Sequence, residues 1–190
     1  LNHPVRAQII PDNNLGQENS VVTPDLIRAI ESDRISGGAI RGSNLFHSFR
    51  EFNIGAGRGG YFENPAAIEN IFSRVTGSNP SNILGTLGVL GNANLFFLNP
   101  NGILFGPNAS LDIRGSFLGT TADSIIFPDD DRFSATNPKI PPILTVNVKP
   151  PIGLQFEGRE GTISHQGSLE VAPGQNLALV GGDVTLDGGS

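Results

Sequence analysis

The stretch from Asn94 to Ile113, NLFFLNPNGILFGPNASLDI, constrains the fold more than any other part of the chain. Two apolar runs, Leu95-Phe96-Phe97-Leu98 and Ile103-Leu104-Phe105, are joined by Asn99-Pro100-Asn101-Gly102. This tetrapeptide is close to an ideal type I turn. Asn99 can bond its own backbone, Pro100 has φ preset, Asn101 tolerates the bridge or left-handed region, and Gly102 closes the turn. A second turn, Gly106-Pro107-Asn108-Ala109, follows after one short strand, and Leu111-Asp112-Ile113 alternates again. Short strands punctuated by turns, with no helical spacing between them, predict a coil of strands.

The same rhythm extends in both directions. Leu87 to Leu90 and Phe117-Leu118 flank the central stretch, and three such strands span roughly twenty residues, the length of one β-helix rung. Further on, Gly161-Thr162-Ile163, Leu169-Glu170-Val171, Leu177 to Val180 and Val184-Thr185-Leu186 resume it, with corners at Pro173-Gly174-Gln175 and Gly181-Gly182-Asp183. Between them, residues 128–151 break the pattern. This segment holds the Phe127-Pro128-Asp129-Asp130-Asp131-Arg132 run and the alternating Ile143 to Val148 strand, and it reads as an excursion laid outside the coil.

Towards the N-terminus, Gln8-Ile9-Ile10-Pro11 reads as an edge strand and Val21-Val22-Thr23 as a second short strand. Thr23-Pro24-Asp25 also has the form of a helix start, with Leu26, Ile27 and Ile30 at helical spacing. Asn44 to Phe52 is too apolar to bury one face only, so it predicts a strand buried on one face and partly covered on the other. Gly55 to Gly60 reads as a loop, and Thr76-Gly77-Ser78-Asn79-Pro80 as a dense turn. Ahead of all this, Val5-Arg6-Ala7 has the small-x-Ala form of a leader cleavage site. The alternative is an ordinary terminus or the remnant of a tag.

Composition narrows the chemistry. The 190 residues suit one domain with an adequate core. Gly 25, Pro 14 and eighteen Asn are a turn-former's composition. A net charge of −6, with only 12 Lys and Arg and no basic cluster, argues against nucleic acid. No apolar run approaches a membrane span, so stable insertion is not expected. With no Cys there is no disulfide framework, thiol nucleophile or thiolate metal site.

The central motif also carries a resemblance. NPNGI (Asn99 to Ile103), preceded by RVTGSNPSNILG (Arg74 to Gly85), GGAIRGSNLFHSFREF (Gly37 to Phe52) upstream, and GSFLGTTADSIIF (Gly115 to Phe127) downstream resemble the secretion domain of filamentous-haemagglutinin-type exoproteins. These are the secreted members of bacterial two-partner secretion systems. The resemblance implies an all-β fold: a right-handed parallel β-helix with an N-terminal cap and antiparallel elements outside the helix. It suggests strands and turns where Thr23-Pro24-Asp25 reads as a helix start. It further implies secretion through the periplasm of a Gram-negative-type envelope to the cell surface or beyond. The implied partner is an outer-membrane two-partner-secretion transporter that reads the domain through its POTRA domains. Asn99, Pro100, Asn101, Gly102 and Ile103 are then the expected recognition motif. A second motif of family members, NPNL, has as its nearest counterparts Asn64-Pro65-Ala66-Ala67 and Asn92-Ala93-Asn94-Leu95, neither a full match, so Asn64 and Pro65 join the candidates. The absence of Cys suits a chain held unfolded in an oxidising periplasm.

Other chemistry is expected to be absent. Asp129-Asp130-Asp131 reads as a solvated loop, and nothing in the sequence brings any two of Glu157, Glu160 and Glu170 together as glycoside hydrolysis needs. The segment from Gly181 to Gly189 faintly resembles a calcium-binding nonapeptide but occurs once, so corner turns account for it better. His3, His47 and His165 sit in separate contexts and read as satisfied polar residues rather than ligands. Asn99, Asn101, Asn108 and Asn176 are expected to hold corners through local bonds to backbone. The expectation is a monomer without catalytic residues, metal or cofactor, the domain being a secretion signal and a folding nucleus for a large adhesin. The competing readings are a β-helical polysaccharide-active enzyme and a glycan-binding adhesin module.

Overall fold

The computed structural model describes residues 8–138, 150–158 and 161–188. The chain winds through three parallel sheets in rotation. The first face consists of β5 (Asn44–Phe52), β7 (Asn70–Val75), β10 (Asn94–Leu98), β13 (Phe117–Thr120) and β18 (Leu177–Val180). The second consists of β8 (Ser81–Ile83), β11 (Ile103–Phe105), β17 (Thr162–His165) and β19 (Asp183–Leu186). The third consists of β3 (Ile30–Gly37), β6 (Gly59–Glu63), β9 (Thr86–Leu90) and β12 (Ser110–Asp112). This is the parallel β-helix that the strand rhythm and the resemblance imply, with about three turns. Rung length is read from the stacked asparagines: Asn44 and Asn70 are 26 residues apart, Asn70 and Asn94 are 24. Leu169-Glu170-Val171 forms no assigned strand, although Leu169 and Val171 still pack on the core in the third face's position.

Alternation explains why so apolar a chain stays a strand on the first face. Leu45, Ile71, Leu95 and Phe117 stack in register toward the interior. Their neighbours Phe46, Phe72 and Phe96 stack on the outside, with ring centroids 5.0 and 4.6 Å apart. That outer aromatic column needs a cover, and an antiparallel sheet of β14 (Ser124–Ile126), β15 (Arg132–Ser134) and β16 (Gly153–Gln155) supplies it. Ile125, Phe127, Phe133 and Leu154 pack there against Phe46 and Phe72. β5 is thus buried on both sides, as its composition predicts. The Ile143 to Val148 strand expected in the excursion lies outside the described residues.

The N-terminal end is covered by antiparallel strands. β1 (Ile9–Pro11) pairs with β5, and β4 (Ala39–Arg41) folds back on it as well. β2 (Ser20–Ile27) forms a hairpin with β3. This hairpin corrects the helix-start reading of Thr23-Pro24-Asp25. β2 runs straight through Pro24, which is tolerated because β2 is the outermost strand of its sheet. The apparent helical spacing of Ile27 and Ile30 comes from their being partners across a two-residue turn. That turn has Arg28 and Ala29 at φ 51° and 64°, without the Asn or Gly such turns favour. The expected loop from Gly55 to Gly60 is also shorter than predicted. Gly59 and Gly60 belong to β6, where an added Cβ would meet Ser32 Oγ at 2.5 Å and Ile54 Cδ1 at 2.8 Å.

Candidate functional site

The Asn99-Pro100-Asn101-Gly102 turn carries the chain from β10 on the first face to β11 on the second. Gly102 N–H donates to Asn99 O at 3.2 Å, closing the turn. Asn99 Oδ1 accepts from Asn101 N–H at 3.0 Å, the local bond expected of an Asn at this position. Positive φ falls on Gly102, at 127°, and not on Asn101.

The turn is a middle storey of a column of corners. Below it runs the 76–80 turn. Asn99 Nδ2 donates to Asn79 O at 3.1 Å and Ser81 Oγ at 2.9 Å, and Asn101 Nδ2 donates to Gly77 O at 2.7 Å. Above it stand the two roots of the excursion. Asn99 N–H donates to Thr120 O at 3.0 Å. A Cβ on Gly161 would meet Pro100 O at 2.4 Å, so only glycine allows that second root to settle on the turn. Thr121 Oγ1 donates to Gly161 O at 2.9 Å and ties the roots together. Packed between two storeys, Asn99 is 0% exposed and Pro100, Gly102 and Ile103 are buried.

Asn64 and Pro65 lie at a different corner, between β6 and β7. Asn64 Nδ2 donates to Ile68 O at 3.0 Å and its Oδ1 accepts from Ala93 N–H at 2.8 Å, so it too joins adjacent rungs. This corner precedes the first face and the Asn99 corner follows it, separated by a strand of five residues, about 16 Å. The structure does not bring the two candidate motifs together. Asn108 and Asn176 are exposed on the surface of their corners.

Sequence reasoning missed two polar features of the first face. One is a ladder. Asn70 Nδ2 donates to Asn44 Oδ1 and Asn94 Nδ2 to Asn70 Oδ1, both at 3.0 Å, and Asn94 Oδ1 accepts from Ser116 N–H at 2.8 Å. The recurrence at rung spacing was visible, but only as one of many Asn positions. The other is Arg74, 3% exposed, lying over the Phe133 ring at 4.5 Å and donating to Ser134 O at 2.7 Å. Its Nε donates to Ser48 Oγ at 2.9 Å, while Ser48 Oγ donates to Asp12 Oδ2 at 2.8 Å. Cap, coil and outer sheet therefore meet around one guanidinium. Burial draws Arg74 down to about 10. Burial pushes Asp12 up, but hydrogen bonds from Thr76, Asn14 and Ser48 outweigh it and hold the carboxyl below its usual range.

Among the described residues, no group of three or more His, Asp or Glu could hold a metal. Asp129 and Asp131 flank Asp130, whose side chain pairs with Arg132 at 3.4 Å in an exposed loop. Glu157 and Glu170 are exposed on separate segments, and Glu160 and His3 lie outside the described residues. His47 and His165 are buried on different faces. No helix among the described residues is long and apolar enough to cross a membrane.

A capped parallel coil, with the Asn64 and Asn99 corners bonded to adjacent rungs, defines a β-solenoid domain. The profile of the TPS secretion domain family matches residues 7–190, and the chain belongs to that family. It resembles the heme/hemopexin-binding protein of Haemophilus influenzae, at 35% identity over 75 residues, or 40% of this chain and 8% of that protein. The crystal structure of a filamentous hemagglutinin secretion domain superposes with a TM-score of 0.58 at 20% identity, over 90% of this chain and 55% of that one. The chain spans only a small part of the curated relative and about half of the solved structure.

Proposed function

We propose that this domain targets a larger adhesin-like exoprotein for secretion, without catalysis of its own, and that its transporter reads the Asn99–Ile103 segment before the domain folds. The observation that carries this reading is burial. In the folded coil, Asn99 and Pro100 have no surface to offer a partner. A POTRA domain would meet this segment only as an extended chain, where an apolar strand–turn–strand suits addition to a sheet edge. Folding outside the cell would then withdraw the motif into the corner column and prevent return. Each rung buries one face on its neighbour, so the closed column is also a seed for further rungs.

The test pairs a secretion assay, in cells carrying the partner transporter, with denaturant melts of each purified variant. Asn99→Ala and Asn101→Ala are expected to reduce export well beyond their loss of stability. Gly102→Val is the contrast, since a β-branched residue at φ 127° damages folding directly. If export simply tracks stability across the set, the turn is a corner only and recognition lies elsewhere.

A further inference from the structure

The lowest rung holds a buried histidine, His47. His47 is 0% exposed and points into the coil interior with Leu45 and Phe49. Its ring centroid lies 5.3 Å from Phe62 and 6.0 Å from Phe49. Nδ1 is 2.9 Å from Ser20 Oγ, which accepts the Ser48 N–H at 3.2 Å. Ser20 Oγ keeps its hydrogen and a second lone pair, so it can meet Nδ1 as donor or as acceptor. Nε2 is buried and, among the described residues, has no partner, so a doubly protonated ring would carry an unpaired N–H.

This contact joins the N-terminal hairpin to the coil, because Ser20 opens β2 and His47 lies in β5. A second ring proton would place a positive charge in an apolar box. Among the described residues, the groups facing the ring offer no carboxylate: β6 presents Phe62, β7 presents Ser73 in register, and Gly38 packs on the ring edge. Charges on the surrounding strands are engaged elsewhere. Arg34 of β3 pairs with Asp25 of β2 and Glu63 of β6, and Arg41 of β4 pairs with Glu18. Asp33 of β3 lines an open cleft with Arg58, Glu51 of β5 accepts from Asn79, and Arg50 is exposed. Arg74 and Asp12 meet on Ser48, whose side chain is on the opposite side of β5 from His47.

We propose that the Ser20–His47 contact is an acid-released joint: a proton taken up by the ring parts β2 from β5 and opens the N-terminal hairpin while the rungs above stay closed. Desolvation draws the ring from its ordinary 6.5 down to about 3 in the closed state. The open state binds the proton below about 6.5 and the closed state does not. Closure is therefore fully favoured above that pH and weakens as pH falls, by up to about tenfold in equilibrium constant per unit.

Hydrogen exchange of the full chain at pH 7.5 and 5.0, corrected for the intrinsic pH dependence of exchange, tests this. The amides of Ser48 and Gly38, bonded to Ser20 Oγ and Asn19 O, should lose at least tenfold in protection on acidification. Those of Asn99 and Phe117 should not change. His47→Gln retains an acceptor for Ser20 and should abolish the difference. Should that variant fail to fold, the His47 ring resonance in the unsubstituted protein decides. Protonation coinciding with the loss of Ser48 protection supports the joint. Titration near the ordinary histidine value with Ser48 still protected overturns it, as does an acid response that survives His47→Gln.

Discussion

The first and last rungs of the described residues differ in what lies against them. At the N-terminal end, β1, β2 and β4 run antiparallel to the rung strands and cover them, leaving Phe49, Phe52 and Phe62 buried. At the other end, β18 and β19 are paired along one side only. The second-face column shows the gradient. Ile103, Ile163 and Val184 are stacked in register, and their exposure runs 1%, 0% and 38%. Leu186, above His165, is 62% exposed. Parallel stacking gives every rung the same inward pattern, so burial depends on position in the stack rather than on residue type. A cap must reverse strand direction to stop it.

The largest effect that can test this contrast lies under the outer sheet. Phe72 touches Phe46, Phe96 and Phe127, and Phe72→Ala should cost about 3–5 kcal/mol in a urea melt. Val184→Ala, on the open end, should cost less than about 1 kcal/mol. Equal losses would mean that the exposure gradient does not govern stability.

The corner column offers an intermediate test. Asn99→Ala removes two donors and an acceptor from a buried site and takes a bond each from Asn79 O, Ser81 Oγ and the Asn101 N–H, so about 1–3 kcal/mol is expected. Asn101→Ala, half-buried, should cost about 1 kcal/mol. The order of the two in denaturant melts is the check. If Asn101 were the costlier, its bond to Gly77 O would outweigh those of Asn99 to Asn79 O and Ser81 Oγ.

These contrasts also separate what was legible in the sequence from what was not. The turn at Asn99 was readable because Asn, Pro and Gly each have one local reason to be where they are. The strands were readable because short apolar runs bounded by turn residues are a local signal. The hairpin at Arg28-Ala29 was not, because its turn carries no residue that favours positive φ and is held by tertiary contacts, including the Arg28–Asp112 ion pair. Nor could sequence show that Asn99 is sealed, since that depends on Thr120 and Gly161 arriving from either side of a long excursion. Nothing local marks Arg74. Its burial follows from Ser134, 60 residues away, closing over it.

The smallest expected effect is the sharpest probe of the open end. Val184→Thr exchanges a methyl for a hydroxyl at almost constant volume. At a fully buried column position such as Ile163, an unpartnered hydroxyl would cost about 1–3 kcal/mol. At Val184, with more than a third of its surface in contact with water, the hydroxyl keeps its solvent and the change should stay within about 0.5 kcal/mol. The melt should be run at two protein concentrations differing by about a hundredfold. A midpoint independent of concentration, with the small loss, means that no second copy covers Val184. A midpoint that rises with concentration, and a loss above 1 kcal/mol that appears only in the concentrated sample, would mean that a second copy covers the column. In that case the two ends differ in what covers them, not in whether they are covered.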